Sequence, residues 1–173
     1  WAEEFRSGTI ELLDSLPIPG WQMVLAKFTG LWCVGAFVLM LSFPLWLTLA
    51  WLGQPDHGGI LLGYAGSMLI LAAMLAIGLC LSALSENQLV VYLFSSLVIL
   101  LYLLAGYPLA LNPLRDVFPQ GIVDLIASTS FLTHQQAIMR GVLELRDVLF
   151  FSLTCAFWLS LNVLVLKAKK GGS

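Results

Sequence analysis

Four long apolar runs dominate the chain, and they restrict what it can fold into more than any other feature does. Each run is free of Asp, Glu, Lys, Arg and His; the four are Phe28–Leu52, Ile60–Leu84, Leu89–Asn112 and Val148–Leu166. A helix that crosses a bilayer needs about 20 apolar residues. Because lipid offers no hydrogen bonds to the backbone, such runs fold as helices. We therefore expect an all-α, polytopic membrane protein with four spans.

The composition fits lipid rather than water. Hydrophobic residues make up 60% of the 173 residues, charged residues only 10%, and the mean hydropathy is +0.94. Soluble domains contain about 25% charged residues, so a soluble or disordered protein is excluded. The net charge of −2 argues against a nucleic-acid partner. The cysteines Cys33, Cys80 and Cys155 lie inside the apolar runs, and we expect three free thiols.

The segments between the runs divide the chain into four parts. Residues 1–20 precede the first run, and residues 21–112 hold three spans. Residues 113–147 connect the third span to the last, and residues 148–173 hold the last span and a basic tail. We expect the long connection to contain short or re-entrant helices on the extracellular side.

One part of this connection, from Ile122 to Met139, is moderately apolar. It is an alternative fifth span, so the number of spans depends on it. With four spans both termini share one side, which then holds five basic residues against three on the other. With five spans the division is four to four. Because basic residues accumulate on the cytoplasmic side, four spans with cytoplasmic termini fit better. Asp124 points the same way, since an acid facing lipid is costly.

Residues 1–16 have the pattern of one amphipathic helix. Apolar side chains recur at helical spacing from Phe5 to Leu16, and acids that include Glu4 and Glu11 fall on the opposite face. The segment holds four acids and one base. An anionic leaflet repels such a face, so the helix suits docking onto a protein. The alternative is a solvated linker helix that happens to be acidic.

Small and polar residues inside the spans mark positions of close helix contact. Ala72, Ala76 and Gly78 in the second run fit small-residue faces that let helices pack closely, either within the chain or at a subunit interface. The last run contains one amide, Asn162, for which we expect a hydrogen bond between helices. A substrate contact on a transport path is the alternative for Asn162.

An ion-coupled pump needs charged side chains within the bilayer, and the four runs contain no Asp, Glu, Lys, Arg or His. The chain also lacks a GxxxxGK[ST] phosphate loop, so energy for transport would come from a separate ATPase. No metal-ligand spacing or nucleophile elbow is present. An alternative, enzymatic function would be acyl transfer. It would use one cluster of hydroxyl groups, a histidine and a carboxylate: Ser128, Thr129, Ser130, Thr133, His134 and Glu144. A polar extracellular connection is the simpler interpretation, and we assign no catalytic, metal or cofactor residue.

Two motifs resemble a known family. Residues 2–13 read AEEFRSGTIELL and are followed by Leu16-Pro17-Ile18 and Lys27-Phe28. This segment resembles the E-E-x-x-x-G-T-[IL]-E-x-L…P…GK segment of type-2 ATP-binding-cassette (ABC) transporter permeases, with Ala26 in place of the usual Gly. Thr133-His134 and residues 140–147, RGVLELRD, are similar to an element of the branch that includes gliding-motility-associated permeases.

The resemblance implies a permease subunit in the cytoplasmic membrane of a bacterium, with two further spans before Trp1. The N-terminal segment would be the coupling helix, seated on a cytoplasmic ATPase through Glu3, Glu4, Gly8, Thr9, Glu11 and Leu12. ATP and Mg²⁺ would bind to that ATPase, and two permease and two ATPase subunits would form the transporter. The apolar spans favour export of a lipidic, amphipathic or polymeric substrate.

Two other functions remain open on the sequence. A membrane scaffold or assembly subunit would use the same acidic helix to bind a partner without transport. A membrane-embedded transferase would use the region around His134.

Overall fold

The computed structural model describes residues 1–10, 18–53, 55–108, 111–112, 119–139 and 144–170, and this part of the chain contains helices and turns without any strand. In chain order the helices are α1 (Ala2–Ser7), α2 (Gly20–Met40), α3 (Phe43–Leu52), α4 (His57–Ser82), α5 (Gln88–Leu104), α6 (Gln120–Ser128), α7 (Phe131–Met139) and α8 (Leu145–Lys170).

Three stretches of the described chain are long and apolar enough to cross a membrane: Gly20–Leu52, which joins α2 and α3, and the helices α4 and α8. The prediction of a helical membrane protein is confirmed at this level. The third apolar run forms α5, which is equally apolar but has only 17 residues. Cys33, Cys80 and Cys155 are free thiols, as expected.

The first apolar run is not one unbroken helix. It divides into α2 and α3 at Leu41 and Ser42, and Pro44 lies in the first turn of α3. Proline has no N–H to donate and its ring clashes with the preceding turn, so a helix readily restarts there. The Ser42 hydroxyl lies 2.7 Å from the Tyr64 hydroxyl of α4 and thereby fixes the break against the neighbouring helix.

The central helix of the bundle is α4, which packs against α2, α5, α7 and α8. Small side chains permit this, and Ala73, Ala76 and Cys80 are all fully buried. At Gly66 an added Cβ would lie 2.8 Å from Cγ2 of Ile138, so α7 approaches α4 closer than any larger residue would allow. A helix surrounded on several sides needs such small residues because backbones must come close together.

The segment from Ile122 to Met139 is divided between α6 and α7, two helices of nine residues each. A helix of nine residues is about 14 Å long, too short to cross the hydrocarbon core by itself. Thr129 and Ser130 form the turn between them. In this part of the connection the structure has two short helices, with α7 packed against α4 and α5; their expected location on the extracellular side stays a prediction.

The predicted amphipathic helix over residues 1–16 is wrong in its continuity. The first helix ends at Ser7, and Gly8 follows in the left-handed conformation with φ 72°. Only glycine adopts this conformation at low cost, and it ends a helix. The helix that contains Phe5 is therefore interrupted at Gly8. Residues 11–17 lie outside the described part of the chain.

Two apolar clusters mark the two ends of the bundle. At the end that holds α1, here called the α1 end, Val24, Leu79 and Leu166 are buried together with Trp1 and Ala83. Toward the other end, here called the α7 end, Phe131 and Ile138 of α7 belong to a buried cluster with residues of α4 and α8. The start of α2 and the ends of α4 and α8 thus meet beside α1.

Candidate functional site

The candidate site is α1 with its surroundings, because the sequence predicts a partner-binding segment in this part of the chain. Glu3 and Glu4 occupy its first turn and Arg6 its last. Negative charge near the N-terminus and positive charge near the C-terminus both favour a helix through its dipole. The Ser7 hydroxyl donates to the Glu3 carbonyl at 2.8 Å and lies 3.0 Å from the Thr9 hydroxyl, which ties the turn at Gly8 to the end of α1.

One face of α1 is exposed. It presents Glu3, Arg6, Ser7, Gly8 and Thr9 to the surroundings. Arg6 pairs with Glu3, three residues earlier, at 3.7 Å, and both side chains are more than half exposed. Such pairs contribute little to stability, so this face remains available to a partner.

The opposite face of α1 is anchored to the bundle through Glu4. Its carboxylate accepts a charge-assisted hydrogen bond from Lys27 Nζ, near the start of α2, and the two side chains are only 29% and 28% exposed. Burial, the largest single influence, disfavours the charged form of Glu4, but the neighbouring ammonium groups, chiefly that of Lys27, together outweigh it, so the pKa of Glu4 lies below its ordinary value. The ion pair joins α1 to the first span.

Aromatic rings of the α1 segment hold two ammonium groups. Lys169 Nζ, near the end of α8, lies 4.0 Å from the ring centre of Phe5. Lys27 Nζ lies 4.1 Å from the ring centre of Trp1. These are cation–π contacts, in which the negative ring face attracts a cation. The inward face of α1 therefore contacts both the first and the last span.

The structure divides the predicted partner-binding residues. Glu3, Gly8 and Thr9 lie on the exposed face. Glu4, predicted on the polar outer face, instead turns inward to Lys27, because that ammonium offers a partly buried partner. The remaining two, Glu11 and Leu12, lie outside the described residues.

The predicted path and interface residues have different surroundings. Ala76 is fully buried within the chain and Ala72 is half-buried, which fits packing inside this chain. Gly78 has open space around the position of an added Cβ, so no close helix approach depends on it in this structure. Asn162 is fully buried, but among the described residues its amide nitrogen and oxygen have no hydrogen-bond partner. The expected hydrogen bond between helices is therefore absent here.

At the α7 end, His134 is part of a buried network rather than a solvated loop. Its Nδ1 lies 2.6 Å from Oδ1 of Asp147, and its Nε2 lies 2.9 Å from the Ser128 carbonyl oxygen. His134 and Asp147 are only 5% and 3% exposed. The sequence pointed to Glu144 as the nearby carboxylate, and this is wrong: Asp147, one turn into α8, is the partner. The His134 ring also stacks on Phe150, with 4.2 Å between ring centres.

This geometry does not favour the transferase interpretation. A carbonyl oxygen only accepts hydrogen bonds, so Nε2 of His134 must donate its N–H to Ser128. Nδ1 is occupied by Asp147. The imidazole therefore has no free basic nitrogen to activate a hydroxyl group, which nucleophilic catalysis requires. The network instead joins α6, α7 and α8.

Sequence reasoning missed both charged contacts. Glu4 and Lys27 both belong to the first family motif, and His134 and Asp147 both belong to the second. Each pair joins a carboxylate to a basic side chain of the same motif, and the two residues are more than one helical turn apart in the sequence. That co-occurrence was the available signal, because charged residues in a mostly apolar chain seldom remain without partners.

The comparison with protein families agrees with the fold. The model of the ABC-2 family transporter proteins matches residues 2–166, and the chain belongs to this family. The family consists of membrane permeases, the transport subunits of ABC transporters, which work with an ATPase on a partner subunit. No significant match was found among curated proteins or among solved structures.

Proposed function

We propose that this chain couples ATP hydrolysis on a partner ATPase to export of a lipidic, amphipathic or polymeric substrate. The observation that carries the proposal is the two-faced α1: an exposed polar face beside a face anchored to the first and last spans by Glu4 and Phe5. An element of this kind suits the transfer of motion from a docked protein to a helical bundle. ATP and Mg²⁺ belong to the ATPase in this proposal, and the chain binds neither.

Transport would follow from the movement of whole helices. Closure of the ATPase subunits on ATP displaces α1, and the bundle attached to α1 tilts as a rigid body. A path between this permease and a second permease subunit, identical or homologous, then changes its accessible side. The four apolar runs within the spans contain no Asp, Glu, Lys, Arg or His, so an apolar or amphipathic substrate fits them better than a small ion.

The proposed topology has four spans in this chain, with α5 as the third. Its 17 residues give a length of about 26 Å at about 1.5 Å per residue, close to the hydrocarbon core of about 30 Å. The concentration of basic residues at the α1 end supports a cytoplasmic location of that end and of both termini, on the inner face of a bacterial cytoplasmic membrane. Two further spans before Trp1 and membership of the gliding-motility-associated branch are parts of the same proposal.

The test is purification of the intact protein with its ATPase, followed by a charge reversal on the exposed face of α1. Glu3→Lys should weaken recovery of the ATPase subunit and reduce ATP hydrolysis of the complex in lipid nanodiscs. Asp124→Lys is the matched control, since it reverses an exposed acid on a short helix, α6, in the other charged region of the chain. It should leave both quantities unchanged.

Two outcomes would contradict the proposal. If the intact protein binds no ATPase, the scaffold function is favoured. If Glu3→Lys and Asp124→Lys have equal effects, α1 is not the docking site.

A further inference from the structure

We propose that two polar contacts, Glu4 with Lys27 and Phe5 with Lys169, are the attachment through which α1 moves the first and last spans together. Lys27 and Lys169 are then positioning residues: they bind no substrate and no ATP, but they fix α1 to the helices that it must displace. This inference rests on the proposed role of α1 as the segment that the ATPase contacts.

The first attachment crosses a turn in the chain. Glu4 and Lys27 are 23 residues apart, with the prolines Pro17 and Pro19 between them, and yet their side chains form a partly buried ion pair. A charge-assisted hydrogen bond is directional and about twice as strong as a neutral one. Lys27 lies in the second turn of α2, so a displacement of Glu4 acts directly on the start of the first span.

The second attachment reaches the other end of the sequence. Lys169 lies in the last turn of α8 and places its ammonium 4.0 Å from the centre of the Phe5 ring. Phe5 follows Glu4 directly in α1. Two neighbouring residues of one short helix thus hold two spans whose sequence positions differ by more than a hundred residues. Since α2 and α8 also pack against each other, both respond to α1 as one unit.

Apolar packing beneath α1 does not replace these contacts. Phe5 and Ile10 pack on the buried cluster of Val24, Leu79, Ala83 and Leu166. Hydrophobic burial is non-directional, so an apolar surface allows α1 to slide over the bundle at little cost. The ion pair and the cation–π contact depend on position and direction, and they oppose such sliding. The apolar cluster holds α1 on the bundle, and the polar contacts fix where it sits.

The experiment follows hydrogen–deuterium exchange of the intact permease–ATPase complex in nanodiscs, with and without ATP and vanadate. In the wild type, trapping should slow exchange in residues 1–10, where the ATPase docks, and change exchange in residues 119–139 at the α7 end. Lys27→Gln and Lys169→Gln should keep the response of residues 1–10 but make that of residues 119–139 roughly fivefold smaller, the lower end of typical coupling between sites. A normal response in residues 1–10 shows that the ATPase still docks, and a reduced response in residues 119–139 shows that its movement no longer reaches the α7 end.

Matched variants isolate the two contacts. Lys167→Gln removes the neighbouring ammonium of α8, which contacts no aromatic ring among the described residues, and should behave as wild type. Lys27→Arg keeps the charge opposite Glu4 and should restore the distant response. Phe5→Leu keeps an apolar side chain but has no ring face for Lys169, so it should match Lys169→Gln. If Lys27→Gln fails to fold, the Lys169→Gln and Phe5→Leu pair decides the result.

Failure of this inference and of the proposed function are distinguishable. A full response of residues 119–139 in both Lys169→Gln and Phe5→Leu would overturn the inference while α1 remains the docking segment. A wild-type complex in which trapping leaves residues 1–10 unchanged would overturn the proposed function itself.

Discussion

Asn162 is a fully buried amide, and most of its neighbours in α8 are apolar. Among the described residues neither its nitrogen nor its oxygen has a hydrogen-bond partner. An unsatisfied buried polar group costs about 1–3 kcal/mol. In this conformation Asn162 therefore lowers stability, and its partner would have to come from another conformation, another subunit or a substrate.

Asn162→Leu should accordingly raise stability by about 1–3 kcal/mol, because it removes an unsatisfied amide and keeps the volume. Thermal unfolding of the purified protein in detergent measures this. Asn87→Leu is the opposite control: Asn87 caps α5 by accepting from the Leu89 N–H at 3.0 Å, so its loss should cost about 1 kcal/mol. A drop in stability on Asn162→Leu would mean that the amide is satisfied in the folded protein.

Glu4 should make the attachment of α1 dependent on pH. Its pKa is lowered because the neighbouring ammonium groups, chiefly that of Lys27, together outweigh the effect of burial. A group whose pKa is depressed on folding stabilises the protein above its ordinary pKa, about 4.3 for Glu, and that contribution disappears as the pH falls through the lower folded value. The stability difference between wild type and Glu4→Gln should therefore be full at neutral pH and shrink in acid.

Thermal unfolding of both proteins across this pH range measures the difference. Glu3→Gln is the control, because Glu3 pairs with Arg6 in an exposed position where ion pairs contribute little. A stability difference between wild type and Glu4→Gln that is the same at every pH would contradict the ion pair of Glu4 with Lys27.

At the scale of elements, α7 is held to α8 by His134 and Asp147. Both side chains are buried, and their hydrogen bond adds a polar contact to the aromatic packing of Phe131 against Phe151 between the same two helices. Removing one partner of a buried hydrogen bond leaves the other group unsatisfied and costs about 1–3 kcal/mol, whereas replacing both by apolar residues of similar shape is often nearly neutral. Asp147→Ala should therefore destabilise the protein by about that amount.

The double variant His134→Phe with Asp147→Leu should recover most of this loss, since a Phe ring can take the same place against Phe150. Double-mutant analysis of thermal unfolding gives the coupling energy. Equal losses in the double variant and in Asp147→Ala would indicate that the pair stabilises α7 beyond what packing can replace.

The sequence predicted most elements but few contacts between them. Long runs without charge specify helices because lipid leaves the backbone no other way to satisfy its hydrogen bonds. The break at Gly8 was missed because apolar spacing continues past it, and a left-handed residue interrupts a helix without changing that spacing. Glu4 was assigned to the wrong face for a related reason. Helical periodicity describes only neighbouring residues, so it cannot show that Lys27, 23 residues further along the chain, lies beside Glu4 in the folded protein. Asp147 was missed because its partner lies on another helix.

At the scale of the whole molecule, the topology proposed above, with four spans, predicts that the two ends of the bundle lie on opposite sides of the membrane. Single cysteines at Ser7 and Ser85, in a background without native cysteine, should react with an impermeant maleimide only in inside-out vesicles. A cysteine at Gln120, at the start of α6, should react only in right-side-out vesicles. All three positions are exposed or half-buried. Reaction of Gln120 from the same side as Ser85 would contradict four spans.

The last helix is fastened near both of its ends, through Asp147 at one and Lys169 at the other. The rise between these residues is about 33 Å at about 1.5 Å per residue, close to the hydrocarbon thickness of a typical bilayer, about 30 Å. A helix fixed at both ends has little freedom to tilt in response to a different lipid environment. Longer or shorter acyl chains should then strain one contact or the other, so bilayer thickness should affect how firmly α1 and α7 are held to α8.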